Sequence, residues 1–521
     1  MNKYIKHSIL GLAMAFSLSA CLKDLDQEPI DPDSFTEKDV FKNATEAKSA
    51  LAKIYASMAV TGQKGPSGDG DLANADESST QFTRVQFYLQ ESSTDEAIIR
   101  WADAGVPDFH NMSWTPSNAF TNGYYNRLGQ QIAFANSFID NAKDLASDPE
   151  VAYFIAEARF IRAYAYYNVI DAFGKAPLIT SSKADLKPAP NSRAELFNFV
   201  ETELKDLEGK LKPARTNEYG RVDQAAAWAL LSRLYLNAEV YTGNARWADC
   251  MTYAKKVIDN GSYTLVNDYN YLFLADNDTN GAQNENIFTA NFDGLNSQTW
   301  AGSTFLVHAA IGGDMNAENY GVGSGWGGIR STKALVEKFN GTGTPPTSWT
   351  DKRAMFYTQG QEYEINSVSN FKHGYAITKY KNVTSAGVKG KDPGGNYVDT
   401  DVALIRLAEM YLNYAEAAFK TGNQSDARTY LNRLRQRAGV SDLSSITEEE
   451  ILNERARELY WEGFRRTDLI RFNRFTEGSY LWPFKGGVAA GTAVDNFRKL
   501  YPIPANVVLA SGGVIKQNTG Y

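Results

Sequence analysis

Tyr235-Leu236-Asn237 and Thr242-Gly243-Asn244, followed by Tyr253, recur as Tyr411-Leu412-Asn413, Thr421-Gly422-Asn423 and Tyr430. Each copy sets apolar residues three and four apart, breaks at a glycine turn, and resumes the same period. The second copy carries three extra residues before its turn. Helix pairs of this length, with Ala and Tyr at close-contact positions, have the form of tetratricopeptide units. The pattern predicts a mostly α fold in which such pairs make a scaffold.

Outward from these copies, the helical period holds over about 35–261 and again over about 401–472. Ser147-Asp148-Pro149-Glu150 supplies an N-cap and a proline at the first helical position. Residues 221–241 and 246–259 read as two helices, and Thr447-Glu448-Glu449-Glu450 as a capping box. Residues 262–400 read differently. Twelve of the 41 glycines fall between positions 281 and 343, where an even spread would place about five. This is a loop-rich, irregular half with short β-strands, and loops on a rigid support are where binding residues concentrate.

On a prior of ~150 residues per domain, a chain of 521 residues would hold three or four domains. With 43% hydrophobic and 22% charged residues, the composition excludes disorder and collagen-like architecture. The balance of 53 basic and 61 acidic residues, −8 net and without a basic tract, argues against nucleic acid as a partner.

Residues 1–20 read as a signal peptide. Lys3 and Lys6 precede an apolar stretch of ~12 residues, short of the ~20 that a spanning helix requires. Leu18-Ser19-Ala20-Cys21 matches the bacterial lipobox, so Cys21 is the predicted lipidation site and new N-terminus. Cys250 is then left without an intrachain partner, and in an apolar-periodic helix it reads as core.

No catalytic constellation stands out. His110, His308 and His373 are far apart, there is no Gly-x-Ser-x-Gly elbow, and Gly321-Val322-Gly323-Ser324-Gly325 lacks the lysine of a phosphate loop. No carboxylate pair is marked out for glycoside hydrolysis. Asp276-Asn277-Asp278-Thr279-Asn280-Gly281 matches the first half of an EF-hand loop, with Ile287 where the last acid belongs. Asp276, Asp278 and Asn280, joined by Glu285, would make a structural Ca²⁺ site; an Asx-rich turn is the alternative. No cofactor is required.

Several motifs then point to a family. Arg159-Phe160-Ile161-Arg162-Ala163-Tyr164, Asp171-Ala172-Phe173-Gly174, and Ile451-Leu452-Asn453-Glu454-Arg455-Ala456-Arg457-Glu458-Leu459 with Gly463-Phe464-Arg465-Arg466-Thr467-Asp468 resemble the SusD/RagB family. So do Tyr501-Pro502-Ile503-Pro504 and Gln517-Asn518-Thr519-Gly520-Tyr521. The resemblance spans nearly all of residues 21–521 and implies one large domain, against the length prior. It implies a SusD-like fold, in which tetratricopeptide-like helix pairs support an irregular ligand-binding half. It also implies a lipid-anchored protein of the Bacteroidetes outer membrane, exposed at the cell surface. Asp24, Asp26 and Glu28, just behind Cys21, resemble the export signal of such lipoproteins. The expected role is non-catalytic capture of glycans and their delivery to a SusC-like TonB-dependent transporter.

Within the family, the chain is similar to the starch-binding prototype. Thr94-Asp95-Glu96, Trp114-Thr115-Pro116-Ser117, Leu274-Ala275-Asp276-Asn277-Asp278 and Ala301-Gly302-Ser303-Thr304 carry that likeness. The prototype's arc of three rings maps onto Trp101, Trp300 and Trp326, with a tryptophan where its second ring is a tyrosine. Its polar contacts map onto Asp76 and Arg84. The asparagine that follows its first ring is missing, which leaves Asp103 or Ala104 nearby. The implied ligand is starch or a maltooligosaccharide. Dextran, or a role mainly in transporter assembly, is the rival.

The physics of sugar binding agrees. A hexose has an apolar C–H face that stacks on an exposed ring and a rim of hydroxyls for acids, amides and Arg. Three platforms and a few hydroxyl bonds, less the ordering cost, suggest a Kd of ~1 μM to 1 mM. Trp101 and Trp326 lie outside any apolar periodic face, whereas Trp228, Trp247 and Trp461 lie on helices and read as core. Asp76 and Arg84 could instead form a surface ion pair of little worth.

Overall fold

The structure, a computed structural model, describes residues 40–68, 70–73, 75–183 and 189–521. Cys21 and the signal segment lie outside these residues. The scaffold begins with α1 (Ala44–Ala59), followed by α2 (Glu77–Thr80), α3 (Phe82–Gln90), α4 (Ala119–Ala142) and α5 (Pro149–Ala172). Asp148 caps α5 and Pro149 takes its first position, as the sequence predicts. From Phe160 to Ala172 every residue of α5 is buried. A helix covered all round belongs to the interior, so most of the motif at 159–164 builds core and faces no ligand.

Next come α6 (Arg193–Leu207), α7 (Gln224–Leu236) and α8 (Trp247–Asn260). Each long helix packs on its successor: α4 on α5, α5 on α6, α6 on α7, and α7 on α8. The loop-rich segment follows, containing α9 (Gly302–His308), and beyond it come α10 (Leu407–Lys420) and α11 (Gln424–Ala438). Despite the intervening segment, α8 packs directly on α10, and α10 on α11.

The sequence repeat is a repeat in space. Tyr235 and Tyr253 place their ring centroids 5.7 Å apart, and so do Tyr411 and Tyr430. Gly243 and Gly422 both turn the chain in the left-handed region, with φ 77° and 85°, which a Cβ would strain. The first copy is broken at Asn237, after which a separate short helix covers Ala238–Thr242. Cys250 is a fully buried free thiol in this packing, as read. Trp228 and Trp461 are buried and Trp247 packs partly buried against the core.

Four short strands position the site. β1 (Ala97–Ile99) and β3 (Ile329–Ser331) pair antiparallel, with Ile99 opposite Ile329. β2 (Asn286–Ala290) and β4 (Val402–Arg406) form a second antiparallel pair. This second pair brings the start and end of the loop-rich segment together, which lets α8 and α10 meet beneath it. Among the stretches inside the expected helical blocks that are not helix, residues 97–99 are β1 and 402–406 are β4. Both are buried on both faces, and a short apolar run of that kind has no period that separates strand from helix.

α12 (Glu448–Leu459) and α13 (Arg465–Arg471) complete the scaffold. Thr447 caps α12 by accepting the Glu450 N–H, which is the forward half of the expected capping box; a full box stands instead at Ser192 and Glu195 on α6. The arginines of the family motifs on α12 and α13 are all buried and paired. Arg455 and Arg466 reach Asp468 and Asp171 at 2.8 and 3.1 Å, and Arg457 reaches Glu454 at 2.6 Å. Arg465 grips Asp95 with two parallel bonds of 2.7 and 2.8 Å. Burial would raise the Asp95 carboxyl, but Arg465 and Lys338 outweigh it and hold Asp95 ionised. Asp95 lies two residues before β1, so this pair moors that strand to the C-terminal helices.

Candidate functional site

Trp101 leaves β1 and Trp326 enters β3, and the antiparallel pairing carries the two indoles together. Their centroids are 6.5 Å apart, and the Arg100 N–H donates to the Gly328 carbonyl at 2.9 Å. A Cβ on Gly328 would stand 2.3 Å from the Trp101 ring. Only a residue without a side chain lets the indole lie there. Trp326 is fixed by its N–H to the His308 carbonyl at 2.8 Å, and its ring stacks on the His308 imidazole at 4.8 Å. Burial keeps that imidazole below its usual pKa, so it is a neutral backing for the indole.

Trp300 precedes α9 and its ring lies 6.3 Å from that of Trp326. The order in space is Trp101, Trp326, Trp300, with successive rings tilted by 45° and 52°. All three are half-buried. Each is partly exposed, and together they form a strip of adjoining, non-coplanar rings. Among the described residues nothing hydrogen-bonds the three indole N–H groups, which remain free for a ligand.

The polar residues gather beside the strip. Arg84, on α3, lays its guanidinium over Phe305 at 4.6 Å and within 6.0 Å of the Trp101 ring. It donates weakly to the Trp300 carbonyl at 3.4 Å and to the Tyr88 hydroxyl at 3.3 Å. Among the described residues no carboxylate pairs with Arg84, so the alternative of a surface ion pair with Asp76 does not hold. Asp76 and Asp103 are exposed. Burial raises the Tyr88 hydroxyl, Arg84 opposes this, and the charges of Asp103 and Asp76 add to it. One Asp76 oxygen caps α2 through the Ser79 N–H at 3.2 Å and accepts the Ser78 hydroxyl at 2.5 Å.

The structure thus brings together all six predicted ligand-binding residues. It adds four that the sequence did not single out. Glu77 accepts the Trp300 N–H at 3.2 Å and the Thr299 hydroxyl, and Gln81 accepts the N–H groups of Arg84 at 2.8 Å and Gly302 at 3.1 Å. These two side chains tie α2 and α3 to the stretch that carries Trp300. His308 is the third. Tyr397, the fourth, lies 4.7 Å from Trp300. Its setting, Gly394-Gly395-Asn396-Tyr397, is an aromatic in a glycine-rich turn, the context that drew attention to Trp326.

The expected calcium ligands do not converge. Glu285 is fully buried and accepts Arg406 at 2.9 Å and Arg437 at 2.8 Å, so its charge is already met inside the scaffold. Asp276 instead accepts the Ser385 N–H at 2.9 Å, the Ser385 hydroxyl at 2.6 Å and the Asn280 amide at 3.0 Å, while Asp278 is exposed. The stretch 276–280 is the Asx-rich turn. Among the described residues no group of three or more His, Cys, Asp or Glu is placed to hold a metal.

An open strip of tilted rings with an unpaired guanidinium and two exposed acids suits stacking and hydroxyl contacts, carried on stacked helix pairs. That combination defines a glycan-binding protein. The chain belongs to the SusD family. Residues 353–521 match the SusD family model, and 32–236 match a model described as starch-binding, associating with the outer membrane. The starch-binding protein SusD of Bacteroides thetaiotaomicron is 36% identical over 100% of both chains. Two solved structures share the fold. A SusD superfamily protein from Parabacteroides distasonis has a TM-score of 0.72 at 20% identity, covering 94% of this chain and 100% of that one. Surface glycan-binding protein A from Bacteroides thetaiotaomicron, in complex with laminarihexaose, has a TM-score of 0.70 at 21% identity, covering 91% and 99%. Members of the family are binding proteins, not enzymes.

Proposed function

We propose that this protein is a cell-surface lipoprotein, anchored through Cys21, that captures starch and maltooligosaccharides and hands them to a SusC-like TonB-dependent transporter. The observation that carries the α-1,4-glucan assignment is that the three neighbouring rings are not coplanar. Rings inclined by 45° and 52° from one to the next offer no single flat platform, which suits a helical glucan better than a flat one. Arg84, Asp76 and Asp103 stand where they can take hydroxyls along the rim. The 36% identity with a starch-binding relative supports the same choice.

Such a surface binds weakly, with a Kd of ~1 μM to 1 mM, and weak binding suits a protein that must release its cargo. In a native gel containing amylopectin the protein should be retarded, and Trp101→Ala should abolish most of the retardation. No retardation removes the starch assignment, and retardation that is undiminished in the variant removes Trp101 from the site. Titration with α-1,4 and α-1,6 oligosaccharides then separates starch from dextran. Palmitate labelling that is lost in Cys21→Ser tests the anchor.

A further inference from the structure

We infer that Tyr397 is a fourth stacking platform, which lengthens the glucan-binding strip beyond Trp300; this rests on the reading of the site proposed above. The ring lies 4.7 Å from Trp300 and is tilted by 47°. Trp101 to Trp326 and Trp326 to Trp300 are tilted by 45° and 52°. The fourth ring is inclined to its neighbour by a similar angle. It is half-buried like the three indoles, and among the described residues no group hydrogen-bonds its hydroxyl. A tyrosine serving only to fill space beneath Trp300 would be covered and its hydroxyl satisfied, because a buried unpaired hydroxyl is costly.

The turn that carries Tyr397 is built to hold a ring still. The Asp392 carboxylate accepts three N–H groups, from Gly394 at 3.0 Å, Asn396 at 2.7 Å and Tyr397 at 3.0 Å. The Gly323 N–H donates to the Gly395 carbonyl at 2.9 Å, locking this turn to the loop that precedes Trp326. On the far side, the Val398 N–H donates to the Thr304 hydroxyl at 3.2 Å, and Thr304 lies on the helix that follows Trp300. Tyr397 is thus fixed relative to both neighbouring platforms. A ring held before the ligand arrives adds stacking without a further ordering cost. Its free hydroxyl can also meet a sugar hydroxyl at the end of the strip.

A fourth platform makes affinity depend on chain length. Calorimetric titration of wild type, Tyr397→Ala and Tyr397→Phe with maltotriose and maltoheptaose tests this. Tyr397→Ala should weaken maltoheptaose ~2- to 13-fold and leave maltotriose, which the three indoles can hold, unchanged. Tyr397→Phe should retain most of the heptaose affinity. An equal loss for both sugars would mean that Tyr397 only props Trp300, and no loss for either would mean that it has no role; each result overturns the inference. If wild type binds neither sugar, the glucan assignment itself fails, which is a different outcome from a silent Tyr397 variant.

Discussion

Gly328 and Arg84 carry the site at the scale of single residues. A methyl group at 328 would stand 2.3 Å from the Trp101 ring, a contact at which something must shift. Gly328→Ala should therefore tilt Trp101 away and weaken glucan binding about tenfold, while the melting temperature moves only a few degrees. A variant that binds like wild type would show that Trp101 has no fixed pose. Trp101 and Trp326 were legible in the sequence because indoles in polar or glycine-rich surroundings have no apolar face to bury, whereas Trp300 came only through family resemblance. Asp76, Arg84 and Asp103 were legible only through family resemblance, since a lone charge gives no clue to its neighbours. Glu77 and Gln81 were not legible at all. Each acts by accepting backbone N–H groups more than two hundred positions away, a role that leaves no local pattern.

Among the elements, the β2–β4 pair decides where the loop-rich segment sits. Asp401, next to β4, is almost fully buried, accepts the Phe292 N–H at 2.7 Å, and is pushed up to about 8 by burial. An acid raised in the folded state stabilises it below its ordinary value of ~4 and loses that contribution as pH rises toward 8. Asp401→Asn keeps an acceptor and carries no charge. Its melting temperature relative to wild type should rise between about pH 5 and pH 8. A difference that is flat with pH would place the charge elsewhere. The helix pairs themselves were readable from period and caps, down to Pro149 and the two glycine turns. The strands were not, because β1 and β4 are short runs covered on both faces. Glu285 misled for a related reason: an acid at plausible spacing from Asp276 says nothing of the two arginines that claim it from α11 and β4.

Across the whole molecule, buried ion pairs join segments distant in the chain. Glu454 accepts Arg353 at 2.7 Å, Arg435 at 3.0 Å and Arg457 at 2.6 Å. Burial would raise its carboxyl, yet these three arginines hold it down to about 2. A depressed acid stabilises the fold above its ordinary value of ~4.5 and loses that contribution as pH falls toward 2. Glu454→Gln should cost about 3–5 kcal/mol at neutral pH, because it leaves buried arginines short of a counter-charge. Its stability should also fall less steeply than that of wild type on acidification from about pH 5 to pH 3. A variant as stable as wild type would show that the arginines find other partners. Seated side by side, β2 and β4 also let the chain wander between them and come back to the doorway it left. Such an excursion can be trimmed or enlarged without re-routing the foundations. Trp101 and Arg84, rooted outside the excursion, are the standing half of the bargain that any such change has to fit.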